Sequence, residues 1–91
     1  MNDPLQPLKA RFLLRCADDL GVLEGEVAGA TPASDRFADV VHKLAGVAGV
    51  FGFARLSELA SRLDAQLAHD RMISAPARAE LIAELRKVIS D

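Results

Sequence analysis

The chain lacks tryptophan and tyrosine, has a single cysteine and contains no long apolar run. A lone Cys16 cannot form an internal disulfide, which agrees with a reducing compartment. The short apolar runs cannot cross a bilayer, and the first residues carry no signal-peptide core. Charges of both signs are interspersed and the net charge is −2, so no nucleic-acid-binding patch and no basic membrane-binding face is indicated. We therefore expect a cytoplasmic monomer without a nucleic-acid or membrane partner.

The residues that are present favour helix over sheet, because leucine and alanine dominate and β-branched residues are few. Apolar residues recur at three- and four-residue steps in four segments separated by short breaks. This spacing predicts an all-α fold, an antiparallel four-helix bundle of up-down-up-down topology, as one domain over residues 1–91. The breaks are expected at 29–34, with Ser34 or Asp35 capping the second helix, at Gly52, and at 69–74, with Ser74 and Pro76 opening the fourth. The first helix is expected over residues 7–28, with the apolar stripe Leu8, Phe12, Cys16, Leu20, Leu23 and Val27. The stripe of the second helix is Phe37, Val40, Val41, Leu44, Val47, Ala48 and Phe51. The third helix has Leu56, Leu59, Ala60, Leu63 and Leu67, and the fourth has Leu81, Ile82, Leu85, Val88 and Ile89.

The stretch HKLAGVAGVFG, residues 42–52, places a histidine among small residues. With about 100° between successive residues, the apolar stripe of this helix points away from His42, which is expected to face solvent. Its neighbours on the same face are all small: Ala38, Ala45, Gly46 and Gly49. Interior glycine costs a helix roughly 0.5–1 kcal/mol relative to alanine. The stripe therefore indicates a ring kept accessible to another surface.

Two simpler interpretations of these residues stay open on spacing alone. A single exposed histidine is most often an ordinary solvated side chain, and a stripe of small residues can be a close helix-packing face. His42 and His69 are far apart and lack the surrounding pattern of a metal site. Cys16 is expected to be a buried structural thiol, and Asp18 and Asp19 a solvated helix face.

The segment from His42 to Leu56 resembles the signature of histidine-containing phosphotransfer (HPt) domains, approximately H-x-[LI]-K-G-x-[AS]-x-x-[LFV]-G-x-x-x-L. It also resembles the phosphotransfer domain at the front of chemotaxis-type kinases, through Gly46, Phe51, Gly52 and Phe53. Residues 57–64 resemble the family's next helix, and Arg11, Phe12 and Leu20 its first long helix. The positions that match the signature are His42, Leu44, Gly46, Ala48, Phe51, Gly52 and Leu56.

This resemblance implies an antiparallel four-helix bundle in which His42 accepts and donates a phosphoryl group. The partners it implies are the receiver domains of response regulators, which carry the reacting aspartate, and a histidine kinase. It also implies that Gly46 lets the receiver approach, that this chain holds no cofactor, and that the receiver brings the Mg²⁺. Such a protein is a phosphoryl carrier rather than an enzyme with turnover, and bacterial-type phosphorelays use it.

One position departs from the family pattern. The family commonly has a lysine three residues after the histidine, and here that residue is Ala45. Lys43 is the nearest candidate replacement, although it lies about 100° around the helix from His42. An ordinary solvated lysine is an equally good interpretation of Lys43. The missing lysine also sustains a second hypothesis, in which a non-phosphorylated bundle binds and inhibits a receiver or a kinase.

The helix that follows the histidine commonly presents a polar residue to the imidazole in this family. Ungapped alignment puts Asp64 at this position, where its carboxylate would accept a hydrogen bond from Nδ1–H and leave Nε2 as the nucleophile. A surface ion pair of Asp64 with Arg62 or Lys87 is the alternative. A third class, the dimerisation domain of a histidine kinase, is disfavoured because Lys43 follows the histidine where that class has glutamate. The sequence fits both a stand-alone carrier and a domain of a larger kinase.

Overall fold

Four α-helices follow one another in the computed structural model, which describes residues 4–29 and 32–90. They are α1 (Gln6–Gly25), α2 (Asp35–Val47), α3 (Ala54–Asp70) and α4 (Ala75–Ser90), and a 3₁₀ turn, Ala48–Phe51, continues α2. No strand occurs in these ranges. Each helix packs against the next, and α1 also packs against α4, which closes an antiparallel up-down-up-down bundle. The predicted all-α bundle is confirmed.

Serines begin two of the helices, as the sequence predicts. The Ser34 hydroxyl accepts a hydrogen bond from the Phe37 N–H at 3.1 Å, and the Ser74 hydroxyl accepts one from the Ala77 N–H at 3.4 Å. Each bond satisfies one of the free amides of a first helical turn. Gly52 ends the 3₁₀ turn with φ +85°, a backbone conformation that glycine adopts without steric cost.

Arg71 joins the two connections at the N-terminal end of α2. It ends α3 in the left-handed conformation, with φ +65°. Its guanidinium donates to the carbonyl of Ala33 and to the carboxylate of Asp35, both at 2.9 Å. Its own carbonyl accepts from the Ala33 N–H at 2.7 Å. These bonds hold the segment that precedes α2 against the end of α3.

The core contains most of the residues of the four apolar stripes. Truncating a large buried side chain such as Phe37 to alanine would cost about 3–5 kcal/mol. At one end of the bundle the Phe12 ring stacks on Phe51 and Phe53, with centroids 5.2 and 5.8 Å apart. The largest fully buried side chains are Phe37, Leu23, Leu44, Leu56, Leu63, Leu81, Leu85, Val41 and Cys16.

Two expectations for α1 are wrong. The helix ends at Gly25 rather than at residue 28, because Glu26 is extended and its carboxylate accepts from the Ser34 N–H. Val27 therefore lies outside the helix and is exposed. Leu8 is also exposed, and the first buried residue of α1 is Phe12. Residues 30 and 31 of the predicted break lie outside the described ranges.

Two further boundaries differ from the prediction. The α-helical part of α2 stops at Val47, which is 40% exposed, and Phe51 is half-buried in the 3₁₀ turn. The apolar period of an α-helix does not continue through a turn with three residues per repeat. Helix α3 extends through Asp70, so His69 and Asp70 are helical and the connection to α4 begins at Arg71.

Candidate phosphoacceptor site

The candidate site is built around His42 on the solvent side of α2. Ser34 fixes the start of this helix, and Phe37, Val41 and Leu44 bury its opposite face. The His42 side chain is 75% exposed, as the periodicity predicts. The core thus sets the rotation of α2, and that rotation directs the imidazole outwards.

Asp64 on α3 lies beside the imidazole. Its carboxylate Oδ2 is 3.1 Å from Nδ1 of His42, within hydrogen-bond distance. Leu63 and Leu67 are buried and fix the rotation of α3 against α2, so Asp64 comes to the edge between the two helices. With the proton on Nδ1, the ring donates to Asp64 and Nε2 keeps its lone pair. No hydrogen bond in the described part of the chain engages Nε2.

The alternative partners expected for Asp64 do not contact it. Arg62 binds Glu58 instead, and Lys87 forms no ion pair with any described residue. Asp64 is partly shielded, with its side chain 34% exposed. A carboxylate in this position orients the ring and favours one of its two tautomers.

The four small residues around His42 have different surroundings. Ala38 and Ala45 are half-buried and pack against the core. A Cβ at Gly46 would meet nothing within 4 Å, whereas a Cβ at Gly49 would lie 3.4 Å from the Ser57 hydroxyl. Gly46 therefore leaves open space one turn from His42. Gly49 lies in the 3₁₀ turn, where its small size also lets α3 pack closely.

Lys43 is paired with a carboxylate of its own helix. Its Nζ lies 2.9 Å from Oδ2 of Asp39, four residues earlier, and both side chains are about half exposed. At the family's usual lysine position, the Ala45 carbonyl accepts a hydrogen bond from the Ser57 hydroxyl at 2.9 Å. Neither Lys43 nor residue 45 therefore provides an unpaired cation beside His42.

Sequence reasoning missed Asp39 and Ser57 near this face and misinterpreted Asp19. The i, i+4 spacing of Asp39 and Lys43 is a signal for their ion pair. Ser57 gave no such signal, since its contacts depend on the 3₁₀ turn. The interpretation of Asp18 and Asp19 as a solvated helix face is confirmed for Asp18, which is exposed, and wrong for Asp19, which is partly buried. Burial raises the pKa of the Asp19 carboxyl group. Burial likewise raises the pKa of the Cys16 thiol to about 12, and the expected buried thiol is confirmed.

Comparison with known protein families shows to which family the chain belongs. The model of the Hpt domain matches residues 7–91, nearly the whole chain. The chain belongs to the Hpt domain family. Hpt domains carry out phosphotransfer in two-component signalling and interact with receiver domains and kinases. No curated protein and no solved structure matches the chain.

Two further properties of this Hpt domain concern metals and membranes. Residues 4–29 and 32–90 contain no group of three or more histidine, cysteine, aspartate or glutamate side chains that could hold a metal ion. Within the same ranges, no helix has both the length and the apolar character that a membrane span requires.

Proposed function

We propose that His42 carries a phosphoryl group between this domain and the aspartate of a response-regulator receiver. The observation that carries this proposal is the contact of His42 Nδ1 with Asp64 Oδ2, combined with a ring that is 75% exposed. The contact keeps the proton on Nδ1, so Nε2 attacks phosphorus with an available lone pair. The exposure lets a second protein bring its reacting aspartate to that nitrogen.

Ala38, Ala45, Gly46 and Gly49 form the docking face in this proposal, and Gly46 has the leading part. A receiver must bring its aspartate into line with the Nε2–P bond, so bulk beside the ring would obstruct it. The open space at Gly46 supports that role. Lys43 is at most an auxiliary cation, because Asp39 engages it.

The receiver supplies the Mg²⁺ in this reaction, and this chain supplies a positioned nucleophile. Positioning and electrostatic stabilisation account for most of the catalysis of phosphoryl transfer. In this proposal the protein is a phosphoryl carrier that acts as a monomer in the cytoplasm. It belongs to a bacterial-type phosphorelay in which a histidine kinase acts upstream. Asp64 contributes by stabilising the positive charge that the ring gains when Nε2 bonds to phosphorus.

The second candidate function is a binder that is not phosphorylated and that inhibits a receiver or a kinase. Ala45 in place of the usual lysine is the observation that favours it. At an exposed site a single cation is worth less than ~1 kcal/mol. That is under tenfold in an equilibrium constant. The loss of one lysine therefore weakens a carrier without disabling it, so the carrier is the better-supported function.

The test is to incubate the purified protein with a panel of phosphorylated receivers and autophosphorylating kinases. We expect acid-labile label on His42, lost completely in His42→Gln and retained in His69→Gln, with unchanged helical circular dichroism in both variants. Label on His69 or on a serine would contradict the proposal. Tight binding to a receiver without any transfer would support the inhibitor instead.

A further inference from the structure

Lys43, beside His42 on α2, and both arginines of α3 have carboxylate partners. Lys43 binds Asp39 at 2.9 Å. On α3, Arg55 and Arg62 both bind Glu58. Arg36, the other basic residue of α2, lies six residues before His42, about 9 Å along the axis at ~1.5 Å per residue. A phosphoryl group on His42 would therefore meet no unpaired cation from these residues.

Asp39 and Lys43 are the pair that matters most for this group. Asp39 is three residues before His42, so the two side chains are neighbours on the helix surface. Lys43 follows His42 directly, and its flexible stem gives its ammonium group several possible positions. The carboxylate of Asp39 selects one of them. With Ala45 at the family's usual lysine position, no second cation lies within one turn of His42 on this helix.

We propose that Asp39 is a positioning residue that keeps Lys43 paired and thereby makes phosphorylated His42 a short-lived, ready phosphoryl donor. This inference rests on the proposed function of His42. It adds that the site favours donation of the phosphoryl group over its retention. A cation on the phosphoryl oxygens withdraws the negative charge that helps to expel the leaving nitrogen. Because Lys43 is paired with Asp39, it does not withdraw charge from the phosphoryl oxygens in this way.

The favoured step is transfer from His42 to the receiver. The Nε2–P bond breaks and its electron pair returns to Nε2, while a carboxylate oxygen of the receiver aspartate forms the new O–P bond. Nδ1 keeps its proton and its bond to Asp64 throughout, so the ring leaves as a neutral imidazole. The product is an acyl phosphate on the receiver, and total charge is conserved.

The experiment labels His42 chemically with phosphoramidate in a His69→Gln background, so that a single histidine is available and no receiver is needed. The loss of phosphohistidine is followed by ³¹P NMR at neutral pH. We expect Asp39→Asn to lengthen the half-life about two- to threefold, the scale of one exposed ion pair. Asp39→Glu, which can still pair with Lys43 at i, i+4, should keep the half-life of the parent.

A double variant separates the action through Lys43 from the direct charge of Asp39. In a Lys43→Gln background, Asp39→Asn should no longer lengthen the half-life. The matched control is Glu24→Gln, which removes a carboxylate from an ion pair with Arg86 between α1 and α4 and should leave the half-life unchanged. Thermal unfolding followed by circular dichroism checks that all variants are folded.

Three outcomes would overturn the inference: an unchanged half-life in Asp39→Asn, a gain that persists in the Lys43→Gln background, or an equal gain in Glu24→Gln. None of these would affect the proposed function, which fails only if receivers and kinases do not label His42. Conversely, a half-life that responds as expected in a protein that no receiver labels would uphold the inference about the site and contradict the carrier function.

Discussion

The imidazole Nδ1 of His42 lies 3.1 Å from the carboxylate Oδ2 of Asp64 across the α2–α3 edge. This contact determines which ring nitrogen is free, because one carboxylate acceptor holds the proton on Nδ1. It joins two helices through side chains that both reach solvent, so its value for stability is small. Under the proposed function its consequence is chemical, because it leaves Nε2 as the nucleophile.

Replacing Asp64 should alter the tautomer and the transfer rate without unfolding the bundle. Asp64→Ala removes the acceptor, so the share of the Nδ1–H tautomer should fall and phosphoryl transfer should slow about 10- to 100-fold, the usual cost of losing a group that orients a functional histidine. Asp64→Asn keeps an acceptor oxygen without the charge and should lie between alanine and wild type. The ¹⁵N chemical shifts of the ring measure the tautomer directly. A wild-type tautomer ratio in Asp64→Ala would show that the contact has no such role.

Gly46 and Gly49 should respond differently to the same substitution. Gly46→Ala should keep or raise stability, by up to about 1 kcal/mol, because alanine is the better helix former and its Cβ meets nothing. Gly49→Ala should gain less, because its Cβ would touch Ser57. The larger Gly46→Gln should slow transfer sharply while thermal unfolding stays normal. Transfer at the wild-type rate in Gly46→Gln would argue against docking clearance at this position.

Restoring the family's lysine should strengthen phosphorylation modestly. In Ala45→Lys the new cation would lie one turn from His42, and we expect slower phosphohistidine loss or faster transfer, by less than tenfold for an exposed pair. Lys43→Ala should change transfer less than twofold, because Lys43 is already paired with Asp39. The comparison is the rate of transfer from a phosphorylated receiver to each protein. A wild type that takes no label while Ala45→Lys takes it readily would identify a binder that has lost its chemistry.

The buried Cys16 thiol should be unreactive in the native protein. It is fully buried, and burial raises its pKa to about 12, so almost no thiolate exists near pH 8. Ellman's reagent should label it only after denaturant has unfolded the chain. Because the folded pKa is the higher one, the thiol contributes no pH dependence to stability below its unfolded value near 9 and lowers stability as pH rises above it. Rapid labelling of the folded protein would contradict this burial.

Asp19 should make the bundle slightly less stable at neutral pH than at mildly acidic pH. Its folded pKa is raised, mainly by burial, so the native state binds the proton more tightly than the unfolded chain. Its contribution to the free energy of unfolding therefore falls as pH rises from the unfolded pKa to the folded one. Asp19→Asn should raise the melting temperature at pH 7 and reduce this part of the pH dependence. Glu80→Gln, at an exposed carboxylate of α4, is the control.

The sequence was sufficient for the helices and for the His42–Asp64 contact. Apolar spacing determines which face of α2 is buried, and the outward direction of His42 follows from that face alone. Asp64 could be placed because the family pattern aligns with residues 42–64 without a gap. Periodicity does not reveal where a helix ends or how much of its length is covered by its neighbours, however, so Leu8 and Val27 were wrongly assigned to the core.

The remaining features depend on contacts that a one-dimensional pattern does not contain. Residues 48–51 suit either a last α-helical turn or a 3₁₀ turn, and packing against α3 decides between them. With the 3₁₀ turn in place, Gly49 lies next to Ser57, and the Ala45 carbonyl accepts a hydrogen bond from the Ser57 hydroxyl. The i, i+4 spacing of Asp39 and Lys43 predicts their ion pair. The pair matters for His42 because Ala45, at the family's usual lysine position, supplies no other cation.

The Arg71 bonds to Ala33 and Asp35 tie together the two connections at the N-terminal end of α2, so we expect these connections to open as a unit. The Ala33 amide donates to the Arg71 carbonyl, and the Arg71 amide donates to the Leu67 carbonyl. Neither amide can meet solvent while this set of bonds is intact. In native-state hydrogen exchange, the two amides should share one opening free energy and one denaturant dependence, as members of a single cooperative unit do. The amide of Gly46, within the α2 ladder that carries the histidine, would report a separate opening event.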